Sequence, residues 1–437
     1  MAIGHPAGVV TGRAAKAGQV VGVEPEVVIA QAGVAVRGRP VGTGGAPLGS
    51  RFVRYLTAAT LSYYGDWFTT VALVVLLYRL SGPAAPAGYM VARVLPRLLS
   101  GTPGGALADR FPQHHVVACC AVLQGAVTLA IIPAARIHAV WAVFGAVVVA
   151  QFAGGLAKPA LTALVPCVVP PQRLDRANLL CGLGIGSSVA IGPALAAPLL
   201  AVAGPEPLLV VDAMTFFIAA VLVATLHPAR RDSDDSSAGR GMAAGLRVVW
   251  SDPSLRATAV SWLASATAVT CASAVLVLIA SSFNDATKVG YLYTAVGVGS
   301  VIVGPLLLRL RPSRITRDSI VAIAVVDILC LAVVTLRGPF WAVLLPLALN
   351  GAAGTAWQTL GTTDMQQRTH PAVLGRATAV AVTASSLGML LGAVLALALA
   401  PAVGWQHTLF IACCVSLAVL IAGVFLGPQQ APTRATD

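Results

Sequence analysis

Beyond about residue 55, apolar residues come in runs of roughly twenty, broken by short polar intervals. A helix needs about 20 such residues to cross the hydrocarbon core of a bilayer. The runs lie near 55–78, 86–107, 116–135, 139–158, 178–203 and 207–227, then near 257–281, 288–308, 318–336, 339–360, 376–400 and 405–426. This pattern predicts an all-α membrane protein of twelve transmembrane helices, six on each side of the longest polar stretch, Pro228–Arg256. That stretch opens PARRDSDDSSAGRG, the composition of a flexible charged linker. It continues GLRVVWSDPSLR, where Leu246, Val249 and Trp250 fall at helical spacing and suggest an amphipathic helix on the membrane surface. The expected organisation is a cytoplasmic extension without fixed structure (1–50), a six-helix bundle (51–227), a cytoplasmic linker (228–256), a second bundle (257–427) and a cytoplasmic tail (428–437). Residues 1–50 lack the basic, apolar and small-residue order of a signal peptide. A true start nearer Arg51 reads equally well.

The basic residues test this count. With the N-terminus inside, only Arg79, Arg136, Lys288 and Arg337 of the 28 Lys and Arg fall outside, and Arg93 and Arg97 fall within helix 2. All others lie on the inner side, including Lys158 in the loop after helix 4. A wrong count would flip the later loops and blur the bias. Twelve helices with both termini cytoplasmic, in the cell's inner (plasma) membrane, therefore satisfy the positive-inside rule. The halves also repeat: 158–200 aligns with 358–400 at an offset of 200, matching Leu174, Arg176 and Ala177 to Leu374, Arg376 and Ala377, Thr162 to Thr362, and Gly192 to Gly392. Paired six-helix halves place a substrate site between them near the midplane.

Composition agrees. Hydrophobic residues make up 57% and charged residues 10%, against roughly 25% charged in soluble domains. So few charges cannot cover a water-facing surface, and lipid must cover it instead. The net charge of +12 follows from topology, and nucleic acid is not an expected partner. The cysteines, Cys119, Cys120, Cys167, Cys181, Cys271, Cys330, Cys413 and Cys414, sit mostly inside apolar runs without a CxxC pair, as small packing residues do.

Four sequence blocks stand out. Helix 1 carries SYYGDWFTTVALVVLLYRL. Helix 2 and its loop carry ARVLPRLLSGTPGGALADR, ending Gly105-x-x-x-Asp109-Arg110. Helix 5 carries LDRANLLCGLGIGSSVAIGPALAAPLL, with Gly184, Gly192 and Pro193. Helix 6 carries VVDAMTFFIAA. Together these resemble the major facilitator superfamily from about 51 to 427, and within it the drug:proton antiporters that include macrolide, tetracycline and siderophore exporters. The resemblance implies two six-helix bundles with pseudo-twofold symmetry. It makes Gly105, Asp109 and Arg110 a conserved-loop motif joining two helices at the cytoplasmic face; the usual basic pair is absent here, where Phe111, Pro112, Gln113, His114 and His115 follow. It makes Gly184, Gly192 and Pro193 an antiporter-like motif, in which Ser188, Ala196 and Ala197 stand where glycines are usual. Plain small-residue helix packing explains the same residues.

Ionisable residues inside a membrane cost roughly 2.5–3.5 kcal/mol each on insertion scales, which makes them functional pointers. Asp66 lies mid-helix 1. Arg93 and Arg97, four residues apart, share a face of helix 2 around Pro96. Two readings stand: Asp66 carries a transported proton under the influence of an arginine, or an Asp–Arg pair fixes helices 1 and 2. Asp212 is expected near the outer end of helix 6 as a packing or capping group. Asp327 lies mid-helix 9, an outer scaffold helix in the resembled fold, and Gln358 and Asp364 at the cytoplasmic edge of helix 10. Candidate substrate-cavity residues are Tyr63, Trp67, Gln151, Trp262, Tyr291, Asn350 and Trp357, some of which would instead be interfacial aromatics.

No P-loop, HExxH or GxSxG is present, so neither an enzyme nor an ATP-driven pump is expected, nor a cofactor or bound metal. The expected function is export of small amphipathic molecules, antibiotics or secondary metabolites, by proton antiport. The expected partners are the substrate, protons and the lipid bilayer, and the expected state is a monomer. The alternative is an importer of a small nutrient or metabolite on the same fold.

Overall fold

A computed structural model describes residues 49–170, 173–226, 242–284, 288–310, 316–336, 338–369 and 371–425. These form helices without strands: α1 (Ser50–Ser81), α2 (Ala85–Arg110), α3 (Gln113–Arg136), α4 (Val140–Val168), α5 (Leu174–Ala203), α6 (Pro205–Ala224), α7 (Met242–Ser251), α8 (Pro253–Ser281), α9 (Val289–Leu310), α10 (Arg317–Val334), α11 (Phe340–Arg368) and α12 (Pro371–Phe425). Helix is what lipid dictates, because it satisfies every backbone N–H and C=O within the segment. Among the described residues, seven helices are individually long and apolar enough to cross a membrane. α2, which carries Arg93 and Arg97, is not among them.

α12 has 55 residues, about 80 Å of helix at 1.5 Å per residue, far beyond one bilayer crossing. Gly404, at φ 77°, divides it into two arms. Gly204, at φ 81°, makes the same left-handed turn between α5 and α6, 200 residues earlier. With the arms counted apart and α7 set aside, six long helices precede α7 and six follow it.

The sequence ends helix 4 near Lys158, but α4 continues to Val168 across Pro159 and Pro166. Unwinding there would leave backbone groups facing lipid, so the helix absorbs its prolines. The Leu-x-Arg-Ala block, expected just before the fifth helix of each half, instead forms the first turn of α5 and part of the opening turns of α12, with Ala177 and Ala377 both fully buried.

The packing repeats as well. In the first half α1 lies against α5 and α6, α2 against α4, and α3 against α4 and α6; in the second α8 lies against α12, α9 against α11, and α10 against α11 and α12. Across the halves, α5 meets α9 and α2 meets α12. Arg54 of α1 donates to the Thr225 carbonyl at 3.2 Å, fastening the start of α1 to the end of α6. The end of the molecule holding these two termini is called here the α7 end. α7 forms as expected from its periodicity, with Val249 fully buried against the second half and Leu246 and Trp250 half exposed. Asp252 then caps α8, accepting from the Ser254 N–H at 2.8 Å.

The core is not uniform along the molecule. One apolar cluster runs through both halves at the far end, from Val71–Leu77 and Ala85–Met90 to Ala274–Ala280 and Val289–Tyr293, and extends within the second half along α8 and α12 to Val260 and Val424. At the α7 end there are two further clusters: one around Phe52, Tyr55, Leu164 and Val223, the other around Val249, Trp262, Trp357 and Met365. Among the described residues, the buried apolar core is thus joined across the halves at the far end and divided at the α7 end.

Candidate functional site

Asp66 sits mid-way along α1 and is about one-fifth exposed. Arg97 of α2 donates Nη2 to Asp66 Oδ2 at 3.2 Å. Arg93, one turn away, does not join them; its guanidinium lies 5.9 Å from the Trp67 ring centre. Both members of the Asp66–Arg97 pair line a cavity of about 320 Å³ walled by α1, α2, α3, α4 and α6. Ala58, Ala121, Leu161, Phe216 and Val223 give it apolar walls, and Ser62, Tyr63, Gln124 and Lys158 complete its polar face.

Lys158 corrects the sequence reading. It is not a loop residue: it lies inside α4, lines the cavity, donates Nζ to Tyr63 Oη at 2.8 Å and stands 5.1 Å from the Tyr63 ring centre. The repeat held the signal, since Lys158 matches Gln358, which the hydropathy pattern places inside an apolar run. Gln124 was also missed. Its amide nitrogen lies 3.0 Å from where a Gly154 Cβ would stand, and Arg97 Nη2 lies 3.8 Å from the same point, so the glycine makes room for both.

Asp212 takes a packing position, about two turns into α6: it is fully buried and accepts from Thr69 Oγ1 of α1 at 2.5 Å. Thr215 Oγ1 lies 3.3 Å from its other oxygen. A Cβ at Gly65 would collide with both the Asp212 carboxylate and the Thr215 hydroxyl, so only glycine fits beside Asp66 at this crossing of α1 and α6. Asp212 stands within electrostatic reach of Asp66 and Arg97.

Trp67 forms a roof. Its ring meets Tyr293 of α9 edge-on at 6.3 Å, joining the halves where they are sealed. A Cβ at Gly192 would lie 2.9 Å from the Trp67 Cβ, and one at Gly184 would collide with Thr60 Oγ1. The glycines of the antiporter-like motif thus bring α5 onto α1 and seat Trp67. Pro193 is buried within α5 without ending it.

The other candidates go elsewhere. Asp327 of α10 is fully buried; its Oδ1 accepts from Asn350 Nδ2 at 2.6 Å and its Oδ2 from Trp357 Nε1 at 3.3 Å. Trp262 meets Trp357 edge-on at 6.1 Å. Three predicted cavity residues, Trp262, Asn350 and Trp357, are thereby gathered around Asp327, apart from the cavity of the first half. Gly354 stands against Asp327 as Gly154 stands against Gln124, again at an offset of 200. Gln151 is buried on α4 with its carbonyl oxygen unpaired. Tyr291 is 57% exposed and packs on Phe340. Asp364, with Arg368 at 2.6 Å, accepts from Ser254 at 2.7 Å and ties α11 to α8; the carboxylate raises the Arg368 guanidinium above its ordinary value. Arg110 is exposed at the end of α2, 5.8 Å from the Phe111 ring centre, while the side chains of Gly105 and Asp109 lie outside the described residues. Among the described residues no cluster of three metal-ligating side chains occurs.

This chain is 29% identical over 356 residues to the uncharacterized MFS-type transporter y4rN of Sinorhizobium fredii, covering 78% of this chain and 86% of that one. It is 25% identical over 170 residues to the uncharacterized MFS-type transporter YfiS of Bacillus subtilis, covering 38% of this chain and 40% of that one. In fold it is similar to a bacterial homolog of the human lysosomal transporter Spinster in an inward-facing, unoccupied conformation, with TM-score 0.65, 13% identity, and coverage of 88% and 99% of the two chains. The nucleoside transporter NupG gives TM-score 0.62 at 14% identity, over 86% of this chain and 98% of that one. The family described as "Transmembrane secretion effector" (MFS_3) matches residues 42–433. The chain belongs to this family of multi-pass membrane transporters of the major facilitator type.

Proposed function

We propose that the protein is a proton-coupled exporter of small amphipathic molecules, working in a plasma membrane with both termini and α7 on the cytoplasmic side. The observation that carries this reading is the Asp66–Arg97 pair, set mid-helix on the wall of an otherwise largely apolar cavity. A partly exposed ion pair adds only about 0–1 kcal/mol to stability. Placing charge in the membrane costs more than that, so stability alone does not account for the pair, and a change of its protonation during the cycle does.

The division of the described apolar core at the α7 end supports a state in which the halves part on the cytoplasmic side. The cluster joined across the halves at the far end, with the Trp67–Tyr293 contact at its edge, supports closure on the opposite side. In the proposed cycle the two bundles, 51–227 and 257–427, rock about this arrangement. A proton reaching Asp66 from outside releases Arg97 and biases the return step. The binding of substrate and proton drives the switch only through their difference in affinity for the two states.

The test is efflux of fluorescent dyes, macrolides and tetracyclines from an efflux-deficient bacterium expressing the chain, with and without a protonophore. Protonophore-sensitive efflux of at least one compound is expected. Accumulation of a compound above the empty-vector level would instead establish the importer reading.

A further inference from the structure

We infer that the cavity selects amphipathic anions, and that Lys158 receives the anionic headgroup; this rests on the transporter reading above. The charges around the site do not balance. Arg97 and Lys158 line the cavity of the first half from α2 and α4, while the carboxylate among its lining residues is Asp66. Even with Asp66 ionised, two cations meet one anion. Among the described residues, Arg97 alone of the two has a carboxylate partner.

Lys158 is the cation most open to a ligand. It is exposed on the cavity wall, and its partners are neutral: the Tyr63 hydroxyl and the Tyr63 ring. An ammonium has three N–H donors. Tyr63 takes one, which leaves two for a carboxylate or similar headgroup. A cation kept inside a spanning helix without a counter-charge is costly, and an anion bound beside it in a low-dielectric cavity recovers that energy. The remaining walls, with Leu161, Phe216 and Val223, suit an apolar body. A volume of about 320 Å³ sits at the lower end of small-molecule pockets, roughly 300–1,000 Å³. Such an anion also leaves a cell down the membrane potential, so export of this class needs no reversal of its electrical gradient.

The experiment compares two probes with the same ring system, pyrenebutyrate and its neutral amide. Binding to the purified full-length chain in lipid nanodiscs is read by displaceable tryptophan-to-pyrene energy transfer. The carboxylate should bind at least about tenfold more tightly than the amide. Lys158→Gln should bring the carboxylate down to the amide's affinity, while Lys158→Arg should retain the preference. Monodisperse elution of both variants confirms that they are folded. Equal affinities in the wild type, a preference untouched in Lys158→Gln, or no displaceable binding of either probe would each overturn the assignment. Efflux from cells that survives any of these results leaves the transporter reading standing, whereas loss of efflux in cells removes that reading by itself.

Discussion

The two halves hold their central carboxylates in opposite ways. Asp66 is partly exposed, paired with Arg97 and set on a cavity wall. Asp327 is fully buried, held by the neutral donors Asn350 and Trp357, with no ion pair among the described residues. The surroundings are nonetheless related by the internal repeat: Gly154 opens space for Gln124 and Gly354 for Asp327. One repeat has a cavity wall with Gln124 and Arg97 at this crossing, and the other a buried hydrogen-bonded tie between α10 and α11. The same helical frame thus supports a charged pair open to a cavity and a buried group that holds helices together.

This contrast can be broken by substitution. The largest effect is expected at Gly65, where a methyl group meets the Asp212 carboxylate and Thr215. Overpacking of this kind costs about 1–3 kcal/mol or more, and Gly65→Ala should sharply reduce the monodisperse fraction in gel filtration. A normal yield would show that α1 and α6 can separate and that the buried Asp212 contact is dispensable. Next, Asp327→Ala leaves the Trp357 donor unpaired and reduces Asn350 to its 3.2 Å bond with the backbone carbonyl at position 327, a loss of about 1–3 kcal/mol. The apparent melting temperature should fall while efflux per folded molecule persists. Efflux lost at an unchanged melting temperature would move Asp327 into the transport step and dissolve the contrast. The smallest effect belongs to Arg93→Gln. A cation over the Trp67 ring is worth about 0.5–1 kcal/mol when partly exposed, so efflux should stay within roughly fivefold of wild type. A complete loss would give Arg93 the role assigned here to Arg97.

Much of the frame was legible before any coordinates. Runs of apolar residues marked the helices, and the gap between the last two runs fell at Gly404, the one non-helical residue inside α12. The pairing of helices 1 and 2 through Asp66 was also readable, because two arginines four residues apart must share a face; the choice between them was not, since it depends on how α1 rotates against α2. Lys158 was hidden by its neighbour Pro159, which imitates a helix end in a soluble protein and does not end one in lipid. The contact of Asp212 with Thr69 was not legible because the two are 143 residues apart in sequence. Trp262, Asn350 and Trp357, expected on a cavity wall, gather instead around the buried Asp327, because hydropathy does not tell a cavity wall from a buried tie.

The central claim is that Asp66 couples transport to protons, and its most direct test is the initial rate of protonophore-sensitive efflux in cells holding equal membrane levels of wild type and Asp66→Asn. The Asp66–Arg97 pair contributes little stability, so the variant should reach the membrane folded. The account predicts that its efflux falls to the empty-vector rate. Efflux at the wild-type rate, still abolished by the protonophore, would contradict it and assign the coupling to another group.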